Sequence, residues 1–372
     1  MPAGKSKFNN MPWDDYENPH LARKLTAAIK DITPPGMKLM EVCGTHTMNI
    51  SRYGLRRLFG NNPLFVSGPG CPVCVTGQSD VESYMELACR EEVILVTFGD
   101  MLKVSGSNGS LTDARARGAD IRVVYSPFEA VRVAAGNRGR EVVFLAVGFE
   151  TTIPVVLLSL KEAIKRELYN FSLFVLHKKA VRAVHHLLES GSVSLDGFLL
   201  PGHVSAITGR RAWDFVSRDY GLPAVVTGFT INDILAAVYR LAHAARNGKA
   251  AVFNEYQRVV KEECNPTARA LADEYLEEGP AVWRGMGEIP ASGLYLRENY
   301  ACFDARKRFS LPPPGTVREP DGCICGEILK GNYSPFDCIL FAEKCRPEHP
   351  VGPCMVSSEG ACAAYYHYER ST

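Results

Sequence analysis

Eight short apolar runs between residues 37 and 227 restrict the fold more than any other feature of the chain. They fall at 37–42, 64–67, 93–98, 121–125, 142–147, 173–176, 198–200 and 224–227. Most are rich in Val, Leu, Ile and Phe without strict polar alternation, the pattern of parallel strands covered on both faces. The segments between them, such as 81–90, 153–168 and 179–188, have helical length and period. Repeated strand–helix units predict an α/β fold with parallel sheets. In chain order the runs divide four and four at a polar joint, 135–140 (AGNRGR), predicting two α/β domains, 30–135 and 136–245, flanking a cleft. After Phe229 the strand signal ends, and 232–246, 252–264 and 266–278 read as helices. The remainder, 246–372, is expected to be a mostly helical and loop-rich third domain with residues 1–29 packed on it.

Several runs lead straight into turns that carry chemistry. The first gives Cys43-Gly44-Thr45-His46, the second Gly68-Pro69-Gly70-Cys71-Pro72-Val73-Cys74, the fifth Gly148-Phe149-Glu150-Thr151-Thr152 and the seventh Pro201-Gly202-His203. In open parallel sheets the ligand crevice lies outside the carboxyl ends of the strands, so these turns are expected to converge on one cleft. The 42 basic and 41 acidic residues leave a net charge of +1, which gives no footprint for nucleic acid or a membrane surface. The longest apolar run, 142–149, stops at Glu150 and is too short to span a bilayer. No apolar signal-peptide core precedes it, and a cytoplasmic protein is expected.

Cysteine usage departs from this ordinary composition. Of 12 cysteines, six lie between Cys323 and Cys362. In an intracellular chain such a cluster points to metal or redox chemistry rather than a disulfide framework. Four thiolates satisfy one iron–sulfur cluster, so two cysteines are left over for a neighbouring disulfide. Zinc also needs only four ligands, but a C-x-C opening is unusual for structural zinc modules, and iron–sulfur is the preferred reading. Cys71 and Cys74 form a C-x-x-C suited to a redox dithiol or to two ligands of one metal. The spacing of Cys43 and His46 puts thiol and imidazole on one side of a first helical turn. That pair suits a soft or borderline metal such as iron, or a nucleophile with its base. Glu150 and His203, at strand ends, are acid/base candidates. Cys89, Cys264 and Cys302 have no partner in sequence and read as buried thiols. Gly68-x-Gly70-x-x-Val73 lacks the third glycine of a dinucleotide fingerprint, and no P-loop occurs.

Taken together, CGTH followed by Arg52-Tyr53-Gly54, SGPGCPVCV, VGFETT, LPGHVS and the tail GCICGEILKG…PFDC…PVGPCMVSSEGACAAYY resemble the HypD family of [NiFe]-hydrogenase maturation proteins. The resemblance spans about residues 37–366; Met48 stands where the family is associated with a second histidine. It implies two α/β domains and a third domain with a [4Fe–4S] cluster, forming a cytoplasmic scaffold on which iron receives cyanide and carbon monoxide. The partners it implies are a HypC-type small chaperone that shares the iron and a HypE-type cyanide donor. Carried onto this sequence, Cys43 and His46 become contacts to the iron, with Cys71 and Cys74 the nearby redox or ligand pair. The tail is similar in logic to ferredoxin:thioredoxin reductase. That analogy implies Cys323, Cys338, Cys345 and Cys362 as cluster ligands, and Cys325 with Cys354 as the redox disulfide. The alternative from another class is a thiol–disulfide oxidoreductase of that reductase type.

Overall fold

The computed structural model describes residues 17–370 apart from 314 and 316–319. Each of the eight apolar runs forms a strand. In chain order the strands are β1 (Lys38–Glu41), β2 (Leu64–Ser67), β3 (Val93–Thr97), the two-residue β4 (Ser105–Gly106) and β5 (Gly109–Ser110), β6 (Ile121–Val123), β7 (Glu141–Gly148) and β8 (Phe171–His177). They continue with β9 (Gly197–Pro201), β10 (Ala224–Thr227), β11 (Val252–Asn254), β12 (Leu276–Trp283) and β13 (Gly287–Leu296). Two parallel sheets result, a five-stranded one in the order β11-β10-β9-β1-β2 and a four-stranded one in the order β6-β3-β7-β8.

Successive residues of a strand face opposite sides of its sheet, and here both sides are dry. Leu39, Phe65, Leu199 and Val225 pack against the helices Pro19–Ile32 and Ile231–Arg246. Their neighbours Met40, Phe198 and Val226 join a central core shared with Leu95 and Val143 of the other sheet. Ile94, Val96 and Phe144 face outward, onto the helix Ile153–Lys165 and the end of β13. A parallel strand enclosed in this way has no polar face to display, which is why its sequence shows runs rather than alternation.

The chain-order division into two halves is not how the strands pair. β3, β6, β7 and β8 form one sheet, inserted between β2 and β9 of the other. The polar joint at 135–140 therefore lies inside the four-stranded lobe, between the helix Pro127–Gly136 and β7. It is an ordinary helix-to-strand turn, held by Asn170 Nδ2, which donates to the carbonyls of Ala134, Asn137 and Arg140. The expected third domain also differs. β11 extends the five-stranded sheet, and β12 and β13 form an antiparallel hairpin packed on β8. The expected helix 252–264 is absent: after β11, Asn254 Oδ1 accepts from Tyr256 N at 3.0 Å and its Nδ2 donates to Val260 O at 2.9 Å. Such local side-chain bonds compete with helix formation. The expected helix 266–278 stops at Tyr275, where β12 begins. The described part of the segment 1–29 packs on the helix Ile231–Arg246, not on the tail; residues 1–16 lie outside the described residues. From residue 321 the chain forms short helices and turns ending in the helix Ala361–Tyr368.

Candidate functional site

Strand order places the site. In the five-stranded sheet the chain winds from β1 to β2 in one direction and from β9 to β10 in the other, so direction reverses between β1 and β9. In the four-stranded sheet it reverses between β3 and β7. Loops part at such switch points and leave a crevice. The two crevices open onto one cleft of about 400 Å³. Cys43 and His203 line it from the first lobe, Asp100 and Thr152 from the second, and Glu359 reaches in from the tail.

Cys43 is the N-cap residue of the helix Gly44–Arg52 and is 8% exposed. Two backbones press on it. A Cβ on Gly70 would collide with the backbone of Cys43, and one on Gly44 with Glu359. Gly44 N also donates to Gly70 O at 2.9 Å. The C-x-x-C turn and the tail thus meet around Cys43 and Gly44. Thr45 Oγ1 donates to Glu359 Oε1 at 2.6 Å, fixing the carboxylate there. Burial, reinforced by the charge of Glu359, pushes the Cys43 thiol up to about 12, so it carries its proton at neutral pH.

His46 is not in the cleft wall but fully buried behind Cys43, with its ring stacked on Phe229 at 4.7 Å. Its Nε2 lies 2.8 Å from Gly228 O, and a carbonyl only accepts, so the proton belongs on Nε2. Nδ1 then carries a lone pair, and it has no hydrogen-bond partner among the described residues. Burial pulls the imidazole down to about 4 and keeps it neutral. His203 is exposed in the cleft and stacks on the same Phe229 at 4.0 Å.

Cys71 and Cys74 are joined in a disulfide. Both are buried, and Gly70, Pro72 and Val73 of their turn line the cleft while the two cysteines do not. No helix starts at this motif; the next one is Gln78–Ala88. Cys74 Sγ lies 3.8 Å from Pro353 O, one residue before Cys354 of the tail. Glu150 points away from the cleft. Its Oε2 accepts from Ala180 N at 3.2 Å at the start of the helix Ala180–Glu189, and Oε1 has no partner among the described residues. Burial raises its carboxyl above the usual range.

In the tail, Cys323 and Cys362 each share a hydrogen bond with Cys325, which with burial pushes both thiols up. Cys345 and Cys354 lie close enough to Cys362 to act on it electrostatically. Val351 N donates to Cys345 Sγ at 3.3 Å. Cys338 stands apart, half-buried, with Sγ 3.9 Å from Gly322 O. Cys325 and Cys354 are free thiols. Among the described residues no three His, Cys, Asp or Glu side chains are already gathered as a metal site. The donor set nevertheless fits an iron–sulfur cluster: several thiols interact in one loop-rich segment, with a backbone amide aimed at sulfur.

The HypD family model, described as the hydrogenase formation hypA family, matches residues 20–369. The chain belongs to the HypD family. The hydrogenase maturation factor HypD of Rhodobacter capsulatus is 44% identical over 365 residues, which cover 95% of this chain and 97% of that protein. Hydrogenase maturation factor HypD of Cupriavidus necator is 43% identical over 370 residues, covering 96% and 97%. That of Escherichia coli is 42% identical over 335 residues, covering 90% of each. In this HypD-family chain the sequence motifs pointed to Cys43 and His203 but not to Thr45, Asp100, Phe229 or Glu359. Asp100 comes from the four-stranded lobe and Glu359 from the tail, while Phe229 follows β10 in the same lobe as Cys43, and no spacing within the chain connects any of the three to it. No helix among the described residues is long and apolar enough to cross a membrane.

Proposed function

We propose that this HypD-family chain is a hydrogenase maturation factor and serves as the scaffold on which iron acquires two cyanides and one carbon monoxide. The observation that carries this reading is the junction at Cys43, a buried thiol at a switch point where the C-x-x-C turn and the tail carboxylate Glu359 meet. Iron is the cargo. Cyanide and carbon monoxide are strong-field ligands that favour a low-spin ferrous ion, and a soft thiolate with an imidazole can hold one while leaving positions open. Uptake of iron at Cys43 would release the thiol proton to solvent. His46, with its proton committed to Gly228, offers the lone pair on Nδ1.

Cyanide delivered as a thiocyanate on a carrier's sulfur needs two electrons to leave. Cys71 and Cys74, as a dithiol, would supply them: the S–S bond forms, the carrier's S–CN bond breaks, and the two thiol protons go to the carrier thiol and to hydrogen cyanide. Cys323, Cys338, Cys345 and Cys362 are the set proposed to hold a [4Fe–4S] cluster, which when bound supplies single electrons. A HypC-type small chaperone and a HypE-type cyanide donor are the proposed partners at the open side of the cleft.

Infrared spectroscopy of the protein co-purified with its small chaperone tests the reading. Wild type is expected to show CN and CO bands, and Cys43→Ala to lose them without losing the complex, since the change removes only a sulfur at the cleft and leaves the backbone contacts of Gly44 and Gly70 in place. His46→Ala should weaken or shift the bands. A Cys43→Ala complex with a full set of bands would overturn the proposal.

A further inference from the structure

Arg284 carries a positive charge into the interior between the two thiol sites. It is 2% exposed and sits directly after β12. Its backbone N–H donates to Val75 O at 3.1 Å, its Nε to Thr76 O at 3.1 Å, and a terminal nitrogen to Gln78 Oε1 at 2.6 Å. Every one of these acceptors is neutral. Among the described residues no carboxylate forms an ion pair with it; the nearby buried Asp80 is taken by Lys178 and Arg306. A guanidinium removed from water without a counter-charge is costly, so a negative group is needed beside it.

The neighbouring backbone shows where that group lies. Gly285 passes so close to Gly326 that a Cβ on either would run into the other's backbone. Gly326 follows Cys325, whose Sγ faces Gly352 together with that of Cys323. Across this contact the charge of Arg284 acts on Cys323.

We propose that Arg284 is the counter-charge of the tail thiol site. It favours the anionic sulfurs and raises the reduction potential of the cluster they hold, while its bonds to Thr76 and Gln78 keep the Cys71–Cys74 turn against that site. The proposal rests on the reading of the tail as a cluster site. Arg284 is a positioning residue that acts through charge: an added electron makes the cluster more negative, and a fixed cation in a low-dielectric interior favours that state.

The test is an anaerobic redox titration of the full chain, followed by visible absorption and electron paramagnetic resonance, with iron and sulfide analysed on each sample. R284Q is expected to lower the reduced-to-oxidised ratio at the wild-type midpoint at least tenfold, about 59 mV for one electron. R284K, which keeps the charge, should stay within about threefold of wild type on the same scale. Q78E, which neutralises the guanidinium in place, should move in the direction of R284Q. R284Q with full iron and sulfide and an unmoved potential would overturn the proposal, and Q78E decides in the same way if R284Q does not fold. A wild type free of iron and sulfide would overturn the cluster reading, and the counter-charge with it.

Discussion

His177 ends β8 buried beneath the cleft, with Nε2 3.0 Å from Thr152 Oγ1. Burial pulls its imidazole from 6.5 down to about 3, so the folded protein holds it neutral while the unfolded chain protonates it near 6.5. The contribution is present above 6.5 and is lost as pH falls toward 3, at up to about 1.4 kcal/mol per pH unit. His177→Gln is therefore expected to lose less stability than wild type between pH 7.5 and pH 5.5, read as urea midpoints. Equal losses would show that His177 is not the group being charged. Glu150 works in the opposite sense. Its carboxyl is raised by burial, so its contribution is full below 4.5 and declines as pH rises. Glu150→Gln should gain on wild type as pH goes from 5 to 8, a difference that would vanish if the buried carboxylate were compensated. His177 ends a strand and Glu150 follows one, both strands plain in sequence, but which strand-end side chain enters the cleft and which turns under it depends on the lobe packed behind.

At the level of elements, the turn Gly68-Pro69-Gly70 decides how the C-x-x-C meets Cys43. Because a Cβ on Gly70 would strike the Cys43 backbone, Gly70→Ala is expected to cost about 1–3 kcal/mol and to push the turn away. A thermal melt combined with thiol mapping checks this. Cys43 should become more reactive toward alkylation in the variant, whereas unchanged stability and reactivity would mean that the contact yields freely. The parallel strands were legible because enclosure on both faces writes an apolar run into each. The hairpin β12–β13 was not, since Gly279 and Pro280 interrupt the first strand at its register shift and its pattern matches no simple period. β11 was hidden for a related reason: it is three residues long, and the Asn254 turn follows at once.

Across the whole molecule, one hydrophobic core runs from both sheets into the tail. Met40, Leu95 and Val143 belong to it together with Cys325, Cys345, Cys354 and Cys362. Arg56 adds a polar tie, pairing with Glu41 of β1 at 2.9 Å and with Glu369 of the tail at 3.0 Å. The tail therefore does not form a core of its own. With the proposed cluster in the tail, stripping iron from the anaerobically prepared protein is expected to lower the melting temperature of the entire chain in one transition, because a metal that binds only the folded tail stabilises whatever folds with it. Calorimetry showing a separate low-temperature tail transition, with the sheets melting as before, would contradict this.

The sequence by itself determined the eight parallel strands, the turns that carry Cys43, Cys71, Cys74 and His203, and the family. Each of these is written in short-range pattern: apolar runs, turn residues and motifs of a few residues. Only the tertiary structure decided that the four-stranded lobe is inserted into the five-stranded sheet, that Glu150 turns under the cleft, and that Glu359 and Arg284 come to lie beside cysteines far away in the chain. Strand pairing and long-range approach depend on which surfaces bury one another, and a chain position carries no local mark of its partner across the core.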